Sequence, residues 1–180
     1  MQISNLDNLV SLFEEDKLNI LTGKNGSGKS TLLDQLAGLG GQTSIFSSKS
    51  IAYKLQKNYF FPDLTVAQTL ALYDKMTIDQ QHKKWLAQFY QDNIQDNLRV
   101  KMGNLSGGQQ QLVLDYGILL LKRDVYLLDE PLTGIDEKNA RSLYEIFVDI
   151  AQSKDKMVIV VEHDRNIIDT YKSVANIITL

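Results

Sequence analysis

The sequence predicts an α/β fold in which a mostly parallel β-sheet is flanked by helices and interrupted by an inserted helical subdomain. Short apolar runs such as VYLLD and MVIVV are typical of strands buried on both faces, as in a parallel sheet. Segments with apolar residues at helical spacing alternate with these runs, which favours helices on both faces of the sheet. From Gln56 to Asn104 the pattern is helical and more polar, which predicts the inserted subdomain at approximately 57–115.

Each element is predicted from its own local pattern. Gly38 closes the first helix, and the two prolines, Pro62 and Pro131, mark element boundaries. His82 lies on a polar helical stretch and is expected at the surface. Strands are predicted at 17–22, 43–46, 51–55, 125–129, 157–161 and 176–180, and helices at 30–38, 66–76, 79–90, from Ser106 onward, and at 137–152.

Composition excludes several classes of protein. The 180 residues are enough for one domain, predicted over 1–180, and the formal charge of −3 is spread without blocks, so no nucleic-acid surface is expected. With no cysteine, the chain cannot form disulfides or thiolate metal sites. No apolar run approaches the roughly 20 residues that span a membrane. The N-terminus also lacks the order of a signal peptide, so neither a membrane span nor secretion is expected.

The segment GKNGSGKS at 23–30 matches the phosphate-loop pattern G-x-x-x-x-G-K-[ST] and lies between a predicted strand and a predicted helix. Its glycines let backbone N–H groups curl around a phosphate. Lys29 would reach the β- and γ-phosphates of a nucleotide, and Ser30 would ligate Mg²⁺. The predicted nucleotide-binding residues of this segment are Gly23, Lys24, Asn25, Gly26, Ser27, Gly28, Lys29, Ser30 and Thr31.

The segment VYLLDEP places two carboxylates, Asp129 and Glu130, at the end of a predicted strand. Neighbouring residues on a strand point to opposite faces, so the two acids are predicted to hold different positions. Asp129 suits the magnesium shell, and Glu130 suits a general base that activates water. A phosphate-loop kinase is the competing interpretation, but such enzymes surround the transferred phosphoryl group with arginines. No arginine lies beside these motifs, so hydrolysis is favoured.

A serine followed by two glycines, Ser106, Gly107 and Gly108, begins another predicted helix. Ser106 and Gln109 have the spacing of a capping box, which explains the serine and the glutamine but neither glycine. Glycine is a poor helix former, and its use here indicates that something approaches the backbone closely. Because the free N–H groups of a helix N-terminus form an anion site, a second phosphate contact is predicted at 106–109.

These motifs together resemble the nucleotide-binding domain of ATP-binding cassette (ABC) proteins. GKNGSGKST resembles the family's Walker A motif, LSGGQQQ its signature motif, and VYLLDEP its Walker B motif with the catalytic glutamate. LTGID at 132–136 resembles the D-loop, although the family usually has SALD there. His163 matches the switch histidine, and Gln56 matches the Q-loop glutamine. The motifs stand in the family's order from residue 17 nearly to the C-terminus.

The resemblance implies a P-loop NTPase fold that binds ATP with Mg²⁺ and hydrolyses it. In this family the signature motif contacts the γ-phosphate of ATP bound to the other subunit. The chain is therefore expected to hydrolyse ATP only as a homodimer or heterodimer. The implied residues are Glu130, His163 and Gln56 for catalysis; Ser30, Gln56 and Asp129 for magnesium; and Ser106, Gly107, Gly108, Gln109 and Asp136 for nucleotide contact beyond the phosphate loop.

The leading hypothesis is a subunit on the cytoplasmic face of a membrane that drives transport through separate membrane subunits, with export favoured. The segment NYFFPDLTVAQTL after Gln56 resembles the region where transporter cassettes meet the membrane subunit. Tyr59, Phe60 and Phe61 in this segment are expected either on such a docking surface or in the core of the helical subdomain. The alternative hypothesis is a soluble ABC-type ATPase that acts on a protein partner without transport.

The N-terminus departs from the family's pattern in a way that concerns adenine. The family places an aromatic residue some two dozen residues before the Walker A motif, where it stacks on adenine. Here the only aromatic residue before Gly23 is Phe13. Counted back from the KLNIL strand, the segment LVSLFEED at 9–16 resembles the family's preceding strand, so Phe13 is predicted to lie in the core. The N-terminal β-subdomain is therefore predicted to be reduced, with weak ATP binding and little preference for ATP over GTP unless a partner chain supplies the missing ring.

Overall fold

The computed structural model of the chain describes residues 11–39, 44, 46, 49–57 and 59–180. Within these ranges five strands form one sheet, and every neighbouring pair of strands is parallel. This confirms the predicted parallel α/β fold. The strands are β1 (Leu18–Thr22), β2 (Ile51–Lys54), β3 (Val125–Asp129), β4 (Met157–Val161) and β5 (Ala175–Thr179).

The order of the strands across the sheet is β2-β3-β4-β1-β5. Every residue of β3 and β4 is buried, as expected for central strands covered on both faces. The order places the carboxyl ends of β3, β4 and β1 side by side, and these ends lead into Glu130, His163 and the phosphate loop. Open parallel sheets bind their ligands at this edge, so the topology alone gathers three of the predicted motifs.

The chain divides into two compact units. The first comprises Met1–Lys54, Arg123–Glu130 and Phe147–Leu180 and contains the sheet, and the second comprises Leu55–Lys122 and Pro131–Ile146. The long predicted helix is α6 (Glu137–Ala151), whereas α7 (Arg165–Tyr171) was not predicted from the sequence.

The core of the first unit lies between the sheet and α1 (Lys29–Ala37), whose buried leucines pack against apolar strand residues. The helix ends, as predicted, at Gly38, which has a φ of 78°. Phe13 belongs to this core and is only 7% exposed, which confirms its predicted place. The strand predicted over 9–16 was wrong for the part that the structure describes. Residues 11–16 form turns, and Asp16 has a φ of 62°, which is incompatible with an extended strand.

The second unit is mainly helical in its described part. α2 (Val66–Tyr73) and α5 (Gly107–Leu120) both begin with capping boxes, and the one at Ser106 and Gln109 confirms the sequence prediction. The helix predicted over 79–90 is interrupted, because the fully buried Leu86 ends one helix and precedes the next. The remaining elements are α3 (Gln80–Trp85), α4 (Ala87–Asn93) and the 3₁₀ turns Gln95–Asn97 and Met102–Asn104.

His82 is buried, with 1% of its surface exposed, so its predicted surface position was wrong. Its Nδ1 lies 2.8 Å from the carbonyl oxygen of Leu119, and its ring stacks on Trp85 with 5.4 Å between the ring centroids. The sequence of α3 is polar overall, so it gave no indication that one of its side chains faces inward. A short polar helix can bury a single polar residue if that residue finds hydrogen-bond partners.

Two sequence predictions lie outside the described residues. The strand predicted over 43–46 falls largely on residues that the structure does not describe, and so does much of the N-terminal β-subdomain that was predicted to be reduced. In the described ranges, no helix has both the length and the apolar character needed to cross a membrane.

Candidate functional site

The predicted phosphate loop joins β1 to α1 and turns through left-handed backbone conformations. Gly23, Gly26 and Gly28 have φ values of 148°, 79° and 99°, a region that favours glycine. Gly28 is the N-cap of α1 and provides no side chain to cap it. The N-terminus of this helix, with its unsatisfied N–H groups and the positive end of its dipole, is therefore suited to an anion.

The side chain of Lys29 folds back over the phosphate loop. Its Nζ donates hydrogen bonds to the carbonyl oxygens of Gly23, at 3.1 Å, and Lys24, at 2.9 Å, and the residue is only 6% exposed. A buried ammonium group needs such acceptors, because desolvating an unpaired charge is costly. The charge therefore lies within the loop, and its contact with nucleotide phosphates stays a prediction.

Asp129 ends β3 as a buried carboxylate that is 3% exposed. Burial raises its pKa, while a hydrogen bond with Ser30 lowers it and the neighbouring charge of Glu130 raises it. Among the described residues, its Oδ1 has no hydrogen-bond partner. An unpaired carboxylate oxygen beside a serine hydroxyl fits Mg²⁺, which prefers oxygen ligands. The described ranges hold no cluster of three His, Cys, Asp or Glu residues that could bind a metal ion.

Glu130 lies one residue beyond β3, in a turn, with a φ of 47°. A non-glycine residue in this left-handed region costs of order 1–3 kcal/mol, and such residues cluster at functional sites. Strand alternation was predicted to separate Glu130 from Asp129, and this explanation was wrong because the strand ends at Asp129. The turn, rather than the pleat of the strand, gives the two carboxylates different partners.

His163 follows β4, and its Nε2 lies 2.8 Å from Oε1 of Glu130. The backbone of this segment is held by Glu162, whose Oε1 accepts the N–H groups of His163, at 2.6 Å, and Asp164, at 2.8 Å. The histidine therefore orients the carboxylate of Glu130 from the neighbouring strand. A candidate base that is itself held by a third group is a common arrangement in hydrolytic sites.

The SGGQ segment begins α5 in the second unit. The Ser106 hydroxyl accepts the N–H of Gln109 at 3.2 Å, and the Gln109 Oε1 accepts the N–H of Ser106 at 2.9 Å. A Cβ atom added to Gly108 would lie 2.5 Å from the carbonyl oxygen of Gly134, whereas one added to Gly107 would meet no atom within 4 Å. Packing within the chain therefore requires a glycine at position 108, in addition to the predicted phosphate contact. Of these two glycines, only Gly107 faces open space.

We expect Gly108→Ala to lower the melting temperature, because the added methyl group meets backbone that cannot move aside without strain. Overpacking of this kind costs about 1–3 kcal/mol, and each kcal/mol corresponds to roughly 2–4 °C at this chain length. Gly107→Ala is the matched control, since its methyl group enters open space and its melting temperature should not fall. Thermal unfolding by circular dichroism measures both. Equal melting temperatures for the two variants would contradict the contact with Gly134.

Two further predicted site residues lie in the second unit. Gln56 is exposed and stands two residues after β2, and its catalytic and magnesium roles stay predictions. Asp136 lies just before α6, where its carboxylate accepts the backbone N–H of Asn139 at 3.0 Å and the side-chain amide at 2.7 Å. These bonds hold the pKa of Asp136 below its usual range. Asp136 thus has a capping role, and its nucleotide contact stays a prediction.

Sequence reasoning missed polar residues around Asp129. Lys54 is 3% exposed at the end of β2, next to β3, and its charge offsets part of the rise that burial causes in the pKa of Asp129. The hydroxyl of Tyr53 donates to Oδ1 of Asp34 at 2.9 Å, and burial together with this hydrogen bond raises the pKa of the tyrosine. The lysine that ends the short strand IAYK was the sequence feature that could have indicated these residues, because lysine is rarely buried unless it is paired.

A parallel sheet with a phosphate loop after β1 and a carboxylate pair at the end of β3 defines a P-loop NTPase. The sequence profile of the ABC transporter family matches residues 6–133. The chain is 30% identical to the zinc uptake system ATP-binding protein ZurA of Listeria innocua, over 92% of this chain and 73% of that protein. It is 34% identical to the zinc import ATP-binding protein ZnuC of Vibrio parahaemolyticus, over 91% of this chain and 63% of that protein. The chain therefore belongs to the ABC transporter family and is an ABC-type ATPase.

A solved structure agrees with this fold. The complex of the archaeal ribosome recycling factor aABCE1 with stalk protein aP1 matches with a TM-score of 0.73 at 28% identity, covering 93% of this chain and 32% of that one. The export direction favoured from the sequence is not supported, since the two relatives belong to zinc uptake and import systems.

Proposed function

We propose that this chain is the ATP-hydrolysing subunit of an ABC transporter and that it drives transport from the cytoplasmic face through separate membrane subunits. The observation that carries the proposal is the 2.8 Å contact between Glu130 and His163, at the sheet edge where the phosphate loop also begins. A carboxylate base oriented by a histidine beside a phosphate loop suits the activation of water rather than transfer to a second substrate.

The residues of the first unit divide the proposed chemistry. The backbone N–H groups of 23–31 bind the phosphates, and Lys29 exchanges loop carbonyls for oxygens of the β- and γ-phosphates. Ser30 and Asp129 would hold Mg²⁺, with Gln56 as a further ligand. The bound ion supplies charge neutralisation at the β- and γ-phosphate oxygens. Glu130 accepts the proton of the attacking water at its carboxylate, which His163 keeps in place.

The second phosphate contact is proposed to act across a dimer. At the start of α5, Gly107 faces open space, whereas Gly108 lies against the backbone of Gly134 in the segment 132–136 that resembles the D-loop. The resemblance, which implies that the signature motif contacts the γ-phosphate of ATP bound to the other subunit, supports this proposal. Two chains would therefore form two composite sites, each with one phosphate loop and one SGGQ segment.

Ser106→Arg is expected to abolish hydrolysis while the isolated chain still binds ATP, because the arginine fills a helix start that meets the partner's nucleotide. Mixed with Lys29→Ala chains, it should regain part of the activity, since one composite site of each mixed dimer is intact. Steady-state ATPase assays of each variant and of an equal mixture measure this. Ser106→Ala reports the loss of the cap alone, worth about 0.5–2 kcal/mol of stability. If the isolated Ser106→Arg chain fails to bind ATP, the assignment across the dimer is wrong.

ATP binding by the isolated chain is expected to be weak and to differ little from GTP binding, because Phe13 lies in the core and supplies no ring to the base. Stacking on an aromatic ring is worth roughly 1–3 kcal/mol, or about ten- to a hundredfold in affinity. Titrations with both nucleotides on the wild-type chain and on Phe13→Leu measure this. Tight, ATP-selective binding that Phe13→Leu removes would show that Phe13 stacks on adenine.

An apolar groove in the second unit supports docking to a membrane subunit. Tyr59 and Phe61 are 69% and 67% exposed, and they line the groove together with Leu72, Tyr73 and Met76. Exposed apolar patches of this kind mark interaction sites. Phe60 is half-buried, so of the two alternatives predicted for this segment the exposure of Tyr59 and Phe61 favours the docking surface.

Co-expression with the membrane protein of a neighbouring reading frame tests the transport proposal. The two proteins should co-purify in detergent, and Tyr59→Ser with Phe61→Ser should break the complex while ATP binding persists. Val174→Ser, an exposed apolar residue of the first unit, is the control. The alternative is an ATPase that acts on a protein partner without transport, and the observation behind it is the similarity to a solved ribosome recycling factor. Absence of any membrane partner, with intact ATPase activity, would support that alternative.

A further inference from the structure

A buried polar pair on α5 has no part in the chemistry described so far. Gln111 and Asp115 are 3% and 2% exposed, and their spacing of four residues places them on one face of the helix. Burying an amide and a carboxylate is costly unless both make good hydrogen bonds. The contacts of the pair therefore decide what it does.

The amide of Gln111 joins α5 to the segment that follows Glu130. Its Nε2 donates to both carboxylate oxygens of Asp115, each at 3.0 Å, and to the carbonyl oxygen of Pro131 at 2.7 Å. An amide nitrogen carries two hydrogens, so one can serve the carboxylate while the other serves the carbonyl. Asp115 thus orients the amide, and the amide holds the peptide after Pro131.

This peptide matters because the residue before Pro131 is strained. Glu130 has a φ of 47°, whereas a residue that precedes proline favours extended backbone. Such a conformation persists only where its surroundings over-determine it. On one side, β3 holds the chain up to Asp129, which is in register with Val161 of β4. On the other side, the hydrogen bond from Gln111 fixes the next peptide.

We infer that Gln111, oriented by Asp115, is a positioning residue that holds the Glu130–Pro131 turn and thereby places the carboxylate of Glu130. The inference rests on the proposed role of Glu130 as the base. Gln111 lies two residues after Gln109 in the same helix. The helix that begins at the SGGQ segment therefore also holds the carbonyl group of Pro131, the residue that follows Glu130.

Gln111→Met tests the inference, because it keeps the length of the side chain and removes the donor. Displacing a catalytic group by about 1 Å can cost on the order of 10²-fold. We expect kcat to fall about ten- to a hundredfold while the Kd for ATP stays within about twofold. In a Glu130→Gln background the same change should cause no further loss in single-turnover assays, because the group that it positions is already disabled.

The matched control is Gln88→Met. Gln88 also donates to an aspartate four residues on, Asp92, at 2.7 Å, but on the exposed surface of α4. It should leave kcat unchanged. If Gln111→Met fails to fold, the double variant Gln111→Met with Asp115→Leu replaces both polar partners by apolar side chains, so that neither is left buried and unpaired. Its kcat should show the same loss.

Three outcomes would overturn the inference in distinguishable ways. Unchanged kcat in a folded Gln111→Met chain, with Glu130→Gln inactive, refutes the positioning role and leaves the proposed function standing. Equal losses with and without Glu130→Gln show that Gln111 acts independently of that carboxylate. Near-normal turnover of Glu130→Gln alone refutes the base itself, and the inference fails with it.

Discussion

Lys29→Ala is expected to remove most ATP binding and nearly all ATP turnover. The ammonium group lies inside the phosphate loop, and without it a bound phosphate loses a charge-assisted partner. Hydrogen bonds to charged groups contribute roughly 1.5–3 kcal/mol, so affinity should fall about ten- to a hundredfold. Transition-state charge loses the same partner, and removing one such donor typically costs a further factor on the order of 10²–10³ in rate. Nucleotide titration and a steady-state ATPase assay measure the two effects.

Lys17→Ala is the matched control for this prediction. Lys17 is half-exposed and pairs with Glu14 just before β1, so its loss should leave both binding and turnover unchanged. Because Lys29 also ties down the carbonyls of its own loop, thermal unfolding of the Lys29→Ala chain should be recorded alongside. A folded Lys29→Ala chain that turns over ATP at the wild-type rate would show that the phosphate-loop assignment is wrong.

Glu130→Gln is expected to keep ATP binding and to slow hydrolysis by a factor on the order of 10²–10⁴, the usual cost of losing a general base. Glutamine has the size of the glutamate and can still hydrogen-bond His163, so the turn at Glu130 should persist while the proton acceptor is lost. Glu137→Gln, on an exposed glutamate that pairs with Arg141, is the control and should be as active as wild type. Single-turnover hydrolysis of labelled ATP measures the difference. Activity within a few-fold of wild type would assign the base elsewhere.

Much of the sheet could be predicted from the sequence, because central parallel strands need unbroken apolar character. The runs over 125–129 and 157–161 coincide with β3 and β4 residue for residue. The helices were less predictable at their ends and interruptions. The segment 79–90 has one helical period, yet Leu86 interrupts it, since tertiary burial of that leucine outweighs local propensity.

The residues of the site divide in the same way into those that a local sequence pattern predicts and those that depend on tertiary contacts. The phosphate loop and the capping box at Ser106 depend on local spacing, and both were predicted. The strained turn at Glu130, the buried Lys54 and the pairing of Gln111 with Pro131 depend on contacts between segments far apart in sequence. No single stretch of sequence records such contacts.

The central claim, an ATPase that works as a dimer with composite sites, is tested most directly by the mass of the Glu130→Gln chain in solution. Light scattering coupled to size-exclusion chromatography should give the monomer mass without nucleotide and twice that mass with saturating Mg²⁺ and ATP, because the slow variant accumulates with ATP bound between two chains. Adding Ser106→Arg to the same chain should return it to the monomer mass. A monomer mass under conditions where ATP binding is demonstrated would contradict the account.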